Sequence, residues 1–172
     1  MSSYYNNNNF FVQYGMKGEL IAKYYIEYVK EETFIKYNHN DEYDLLTNKS
    51  TYEIKTDSNF IKYNSVFVEF KSNKKESGIN KSISNYYLFV CPNNKNFEIV
   101  KIFQIETTIL KELIQNNIFL VKNAPCKDYY NNVYSINSGY IIPYHFLIKY
   151  GSSYEIILND FEQLASLVLE RA

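Results

Sequence analysis

From Tyr43 to Lys55 apolar and polar side chains alternate on both sides of the pair Asn48-Lys49. A period of two belongs to extended chain and a tight polar break to a turn, so the stretch predicts a β-hairpin. With Asn48 and Lys49 as the loop, facing positions sum to 97: Asp44 opposes Glu53, Glu42 opposes Lys55 and Tyr43 opposes Ile54. One face then carries Tyr43, Leu45, Tyr52 and Ile54, and the other Glu42, Asp44, Glu53 and Lys55. Directly opposed carboxylates repel and weaken a hairpin. A divalent cation held by hard oxygens from both strands would relieve that repulsion and leave positions open for water and phosphate. Lys55, two residues beyond Glu53, projects from the same face. There it can orient a water nucleophile or offset developing negative charge. The plainer alternative is a cross-strand ion pair between Lys55 and Glu42, with Asp44 and Glu53 in solvent. Glu69-Phe70-Lys71 repeats the Glu-x-Lys pattern, but its nearest preceding acid, Asp57, lies in a loop; the facing Asp favours the metal reading at Asp44, Glu53 and Lys55.

The flanking pattern predicts one α/β domain. Residues 1–14 carry the Asn6 to Asn9 tract and read as an N-terminal arm. From Gly18 to Glu31, Leu20, Ile21, Tyr24, Tyr25, Tyr28 and Val29 recur with helical spacing. Ser65 to Lys71 alternates as a strand, with Val66, Val68 and Phe70 on one face and Phe67, Glu69 and Lys71 on the other. Ser77 to Asn85 suits a short helix or turn. Tyr86 to Val90, closed by Cys91-Pro92, is a continuous apolar run that suits a strand buried on both faces. Asn96 to Phe103 and Ile118 to Val121 read as strands. Between them Ile105, Ile109, Leu110, Leu113 and Ile114 mark an amphipathic helix. Asn123 to Ser138 reads as a polar loop, Gly139 to Tyr150 is apolar around Pro143, and Asp160 to Arg171 reads as a closing helix. The expected architecture is a central mixed β-sheet flanked by helices over residues 15–172, with a core at 15–92 and a C-terminal elaboration at 93–172.

Composition narrows the function. At 172 residues the chain is one ordinary domain. It has no apolar run of about 20 residues and no secretory leader, so a soluble, intracellular protein with no membrane partner is expected. Cys91 and Cys126 are too far apart for a CxxC metal site and too few for a disulfide framework. The only histidines are His39 and His145; His39 lacks a partner histidine, and His145 is expected to be half-buried in the core. The GxSxG, GxxxxGK and GxGxxG signatures are missing. A net charge of −1 gives no general attraction to nucleic acid, so any such binding needs a local patch. Lys71, Lys74, Lys75 and Lys81, diluted by Glu76, form the candidate, although such runs are often solvated loops. The 19 Tyr and 12 Phe, with Arg171 as the lone arginine, follow AT-rich codon usage, not a binding signature.

Asp44, an eight-residue gap and then Glu53-Ile54-Lys55 resembles the D…(D/E)xK core of the PD-(D/E)xK nuclease superfamily, which includes restriction enzymes and Holliday-junction resolvases. Further segments resemble small phage and viral members of that group: Gly18-Glu19 in the leading helix, Phe67 to Phe70, Ser77-Gly78-Ile79, Asn85 to Val90 and Gly139 to Pro143. The likeness covers about residues 15–92 and a weaker tail. No proline precedes Asp44, where Glu42-Tyr43 stands instead. The resemblance implies that Asp44, Glu53 and the Ile54 carbonyl bind Mg²⁺, with Mn²⁺ as a substitute, and that Lys55 helps to activate water. Glu19 would touch the metal directly or through water, and Glu69 is a further candidate ligand. Glu19 also lies where a helix dipole favours a carboxylate whatever its role. The implied activity is Mg²⁺-dependent endonucleolytic cleavage of DNA, with a homodimer plausible. The alternative is a nuclease-fold module that binds DNA or a protein partner without cutting.

Overall fold

The Asn48-Lys49 hairpin forms in the register that the alternation implies. In the computed structural model, which describes residues 10–38, 42–127 and 132–158, three strands lie side by side: β1 (Phe34–Tyr37), β2 (Leu45–Thr47) and β3 (Thr51–Thr56). Leu45 faces Tyr52 and Leu46 faces Thr51. The turn is secured by Thr47, whose Oγ1 accepts the Lys49 and Ser50 N–H groups at 3.1 and 2.9 Å. Asn48 ties the turn to the start of β1 through two hydrogen bonds with Thr33, both 2.9 Å.

Around this ribbon the chain adds β4 (Ser65–Ser72), β5 (Lys75–Glu76), β6 (Tyr86–Pro92), β7 (Ile99–Glu106), β8 (Leu120–Lys127), β9 (Val133–Pro143) and β10 (Ser152–Ile157). The helices are α1 (Phe10–Tyr24), which runs on as a π-turn over Tyr25–Val29, then α2 (Phe60–Tyr63), α3 (Thr107–Asn116) and α4 (Tyr144–Tyr150). The central sheet has the order β1-β2-β3-β6-β7-β10 and is mixed, because β3 pairs parallel with β6 while its other pairs are antiparallel. This is the expected α/β architecture with a second layer added, an antiparallel sheet of order β5-β4-β9-β8.

Alternation along the central strands divides the core in two. Leu45, Tyr52, Ile54, Leu88, Val90 and Ile102 face α1 and its π-turn, where Ile21, Ala22, Tyr25 and Ile26 meet them. Tyr87, Phe89, Phe103 and Ile105 face the other way, against Val66 and Val68 of β4, Leu110 and Leu113 of α3 and Leu147 of α4. The run Tyr86 to Pro92 is thus apolar on both faces because both are covered. Glu53 and Lys55 belong to the second face, at its margin.

Several elements depart from the sequence expectation. The first helix begins at Phe10, within the segment expected as an arm, and Tyr14 is anchored on the ring of Phe97 at 4.7 Å between centroids. The expected loop Asn123 to Ser138 is largely β8 and β9, paired from Leu120↔Ile141 to Lys127↔Val133. Its side chains carry no apolar alternation because this end of the second sheet is wet on both faces, with Val133, Tyr134 and Ile136 all exposed. The backbone ladder and contacts such as Ser138 Oγ to Asn123 Oδ1 at 2.7 Å hold it. β1 and β10 are strands the pattern did not mark, and β7 starts at Ile99, three residues later than expected. His145 is exposed, not half-buried. The Asn6 to Asn9 tract, His39 and the expected helix Asp160 to Arg171 lie outside the described residues. Among the described residues no helix is long and apolar enough to cross a membrane. Cys91 and Cys126 are free thiols.

Candidate functional site

The site begins where β2 gives out. The Asp44 N–H donates to the Tyr52 carbonyl at 2.9 Å, the last main-chain bond in this direction, and its own carbonyl accepts the Asn38 N–H at 2.8 Å. Ile54, one ladder step further along β3, finds no strand opposite, and the Asp44 carboxylate takes its N–H at 2.6 Å. The N–H and C=O of a strand residue point to the same edge, so the Ile54 carbonyl is turned toward Asp44 as well. Asp44, Glu53 and Ile54 are therefore juxtaposed by strand geometry.

Glu53 is only 6% exposed, and its carboxylate meets Lys55 Nζ at 2.5 Å. Burial pushes the Glu53 carboxyl above its ordinary range, an effect that Lys55 opposes and Asp44 and Glu69 reinforce. For Lys55 desolvation pulls downward, but Glu53, Asp44 and Glu69 together outweigh it and hold the ammonium charged. The plainer alternative, a Lys55–Glu42 ion pair with Glu53 in solvent, is not what forms: Lys55 pairs with Glu53 on its own strand, and Glu53 is buried.

Glu19 is delivered by close packing. A Cβ on Gly18 would stand 1.8 Å from Thr56 Oγ1, so α1 reaches β3 only because this residue is glycine. The next residue, Glu19, is pushed up to about 7 by burial and by the nearby Asp44, with Lys55 acting against the rise. Glu69 arrives from the second sheet. Its carboxylate accepts hydrogen bonds from Ser77 Oγ and from Asn137 Nδ2, the latter at 2.5 Å. Gly78, at φ +51°, packs where a Cβ would strike the Glu69 carbonyl at 2.2 Å. Four carboxylates, those of Glu19, Asp44, Glu53 and Glu69, thus share the ammonium of Lys55.

The lysine candidates divide. Lys71, Lys74 and Lys75 are exposed at the β4–β5 end, where Asn73 and Lys74 both have positive φ and form the two-residue turn; Lys81 follows the short 3₁₀ turn Gly78–Asn80. None of the four lines the open cleft of about 380 Å³ that adjoins the carboxylates. The cleft runs from Lys55 and Glu69 out to Tyr63 and Lys122, with Asp57, Ser58 and Asn59 along one side. Asp57 shapes that side by accepting the Asn59 and Phe67 N–H groups at 2.8 and 3.1 Å.

Sequence reasoning also missed Tyr87. It lies beside Glu53 in the β3–β6 register and is 1% exposed, and its hydroxyl has no hydrogen-bond partner. Apart from its place within a run that the sequence marked as buried, nothing signalled it.

Among the described residues no three His, Cys, Asp or Glu side chains are grouped so as to hold a metal ion. In chemical type the oxygens fit a small hard cation. Glu19 and Glu53 are pushed toward protonation, chiefly by burial, with the Asp44 charge adding to the rise. Lys55 engages Glu53 through Oε1 and the Ile54 N–H engages Asp44 through Oδ2, so an ion would be held by carboxylates that each already serve one partner. No protein-family model, curated protein or solved structure matches the chain.

Proposed function

We propose that this protein is a Mg²⁺-dependent endodeoxyribonuclease that hydrolyses DNA phosphodiester bonds with water. The observation that carries the reading is the gathering of Glu19, Asp44, Glu53 and Glu69 around Lys55 at the inner end of an open cleft. Asp44, Glu53 and the Ile54 carbonyl would hold Mg²⁺, or Mn²⁺ in its place, with Glu19 beside them and Glu69 as an outer contributor. Such an ion supplies positive charge to a phosphate and lowers the pKa of bound water. Lys55, kept charged by its carboxylate neighbours, would hold the attacking water or balance charge on the phosphate as it gains a fifth oxygen. Burial of Glu53 strengthens each of these interactions relative to water.

A second reading is a nuclease-fold module that binds DNA or a protein without cutting. It is favoured by the Glu53–Lys55 ion pair and the Asp44–Ile54 hydrogen bond, which occupy the groups that cleavage would need. Plasmid nicking in Mg²⁺ or Mn²⁺ by wild type, Glu53→Ala and Lys55→Ala decides between them. Cleavage by wild type alone is the expected result. Equal cleavage by all three, or none by any of them on several DNA structures, would exclude the hydrolytic reading. Calorimetry gives a second measure: Mg²⁺ or Mn²⁺ should release or absorb heat with wild type and not with Asp44→Ala.

A further inference from the structure

The outer half of the cleft has a chemistry distinct from its inner end. Tyr63, the last residue of α2, is 53% exposed at the cleft mouth. Two ammonium groups converge on its ring: Lys62 Nζ lies 5.0 Å from the centroid and Lys122 Nζ 5.6 Å. The lysines come from different layers, Lys62 from the β3–β4 connection and Lys122 from β8 of the second sheet, so tertiary structure alone brings them together. The Tyr63 hydroxyl is lowered from its ordinary value by its hydrogen bond with Lys62 and by the charges of Lys62 and Lys122. Of the acids that line the cleft, Glu69 lies at the inner end, bonded to Ser77 and Asn137, and Asp57 lies along one side, where it accepts main-chain N–H groups. The two lysines at Tyr63 thus stand at the mouth, and Glu69 stands with Lys55 at the inner end.

Two like charges gathered on one ring are best balanced by an anion with several oxygens. The cleft of about 380 Å³ is lined by Lys55, Tyr63 and Lys122, with Lys62 beside it on the Tyr63 ring; it lies at the small end of ligand pockets and accommodates a single nucleotide. A base-paired duplex is too wide to enter. We propose that Lys62 and Lys122, assembled on Tyr63, hold the phosphate of an unpaired nucleotide in this cleft, so that the preferred substrate is single-stranded or branched DNA threaded toward Lys55. This rests on the nuclease reading for the identity of the strand, but its test does not depend on cleavage.

The test is fluorescence anisotropy in EDTA with the full chain, using a fluorescein-labelled oligodeoxythymidine and a blunt duplex of equal length. Wild type should bind the single strand more tightly than the duplex. Each phosphate contact to a single strand contributes about 0.7 to the slope of log affinity against log salt, so Lys62→Ala/Lys122→Ala should lose about 1.4 of that slope and about tenfold or more in affinity. Tyr63→Ala should weaken single-strand binding and leave duplex binding unchanged. Both lysines and Tyr63 are exposed, and circular dichroism of each variant checks that the fold is kept. Equal binding of both DNAs, wild-type affinity and slope in the double variant, or no single-strand binding by wild type would overturn the proposal. If wild type binds as expected but never nicks DNA, the hydrolytic reading falls and this one stands. If wild type nicks and the double variant binds and nicks like it, the reverse holds.

Discussion

Glu19 shows how a single ionisation can report on the whole site. Its carboxyl is pushed from 4.5 to about 7, with burial as the main cause, and Glu53 and Asp57 are raised in the same direction for the same reason. Between those two pH values the folded protein holds a proton that the unfolded chain has released. Stability is therefore highest below this window and falls as pH rises through it, levelling off above about 7. The Glu19 contribution is on the order of 3 kcal/mol. Urea unfolding across that range should show the decline, and Glu19→Gln should flatten it; a wild-type profile already flat would contradict the burial of these acids. Tyr87 makes the complementary case. Its hydroxyl neighbours Ser82, but the Ser82 Oγ is engaged with Ser84 and the Glu42 carbonyl. Because no hydrogen bond is lost and the desolvation cost of a buried, unpartnered hydroxyl is relieved, Tyr87→Phe should raise stability by about 1–3 kcal/mol in a urea titration.

At the scale of elements the two glycines of α1 behave oppositely. Gly18 is pressed against Thr56, while a Cβ on Gly15 would meet nothing within 4 Å. Gly15→Ala should therefore stabilise the protein by about 0.5–1 kcal/mol through helix propensity. Gly18→Ala should cost about 1–3 kcal/mol as α1 retreats from β3. The retreat carries Glu19 away from Asp44, so the pH window described for Glu19 should shrink in that variant. Paired urea curves for the two substitutions check both signs. The same contrast explains what the sequence disclosed. The hairpin register was legible as far as Leu45 opposite Tyr52 because the turn and alternation lie within thirteen consecutive residues; beyond it the regular pairing ends, and Asp44 bonds the Tyr52 carbonyl and the Ile54 N–H in place of the expected position opposite Glu53. The buried run at Tyr86 to Val90 and the helix around Leu110 were legible from their own periodicity. β8 and β9 were not, since exposed strands show no apolar face and their pairing is a property of two segments together. The cleft was least legible of all. Lys62 and Lys122 carry no motif, and only the stacking of the second sheet on the first brings them to one tyrosine.

For the whole molecule, stability and ion binding should be linked. If the carboxylate cluster takes Mg²⁺, an ion concentration a hundred times its dissociation constant adds about 2.7 kcal/mol to stability. Thermal unfolding at pH 8 should then shift upward from EDTA to Mg²⁺ for wild type and stay fixed for Glu53→Ala; an unshifted wild-type curve would argue against a resident cation. The second sheet carries a different consequence. Its strand β4 is joined to β9 by pairing Ser65 with Pro143, while Asp44 and Glu53 sit on one short hairpin. Closing a long loop costs more chain entropy than closing a short one, and contacts distant in sequence form late. The hairpin's contacts are local, whereas the wall bearing Lys122 needs β8, β9 and β4 together. Lys122 is therefore added to a chain that already contains Glu19, Asp44, Glu53, Lys55, Tyr63 and Glu69, so synthesis delivers the acidic residues of the site before the strand that completes the cleft wall.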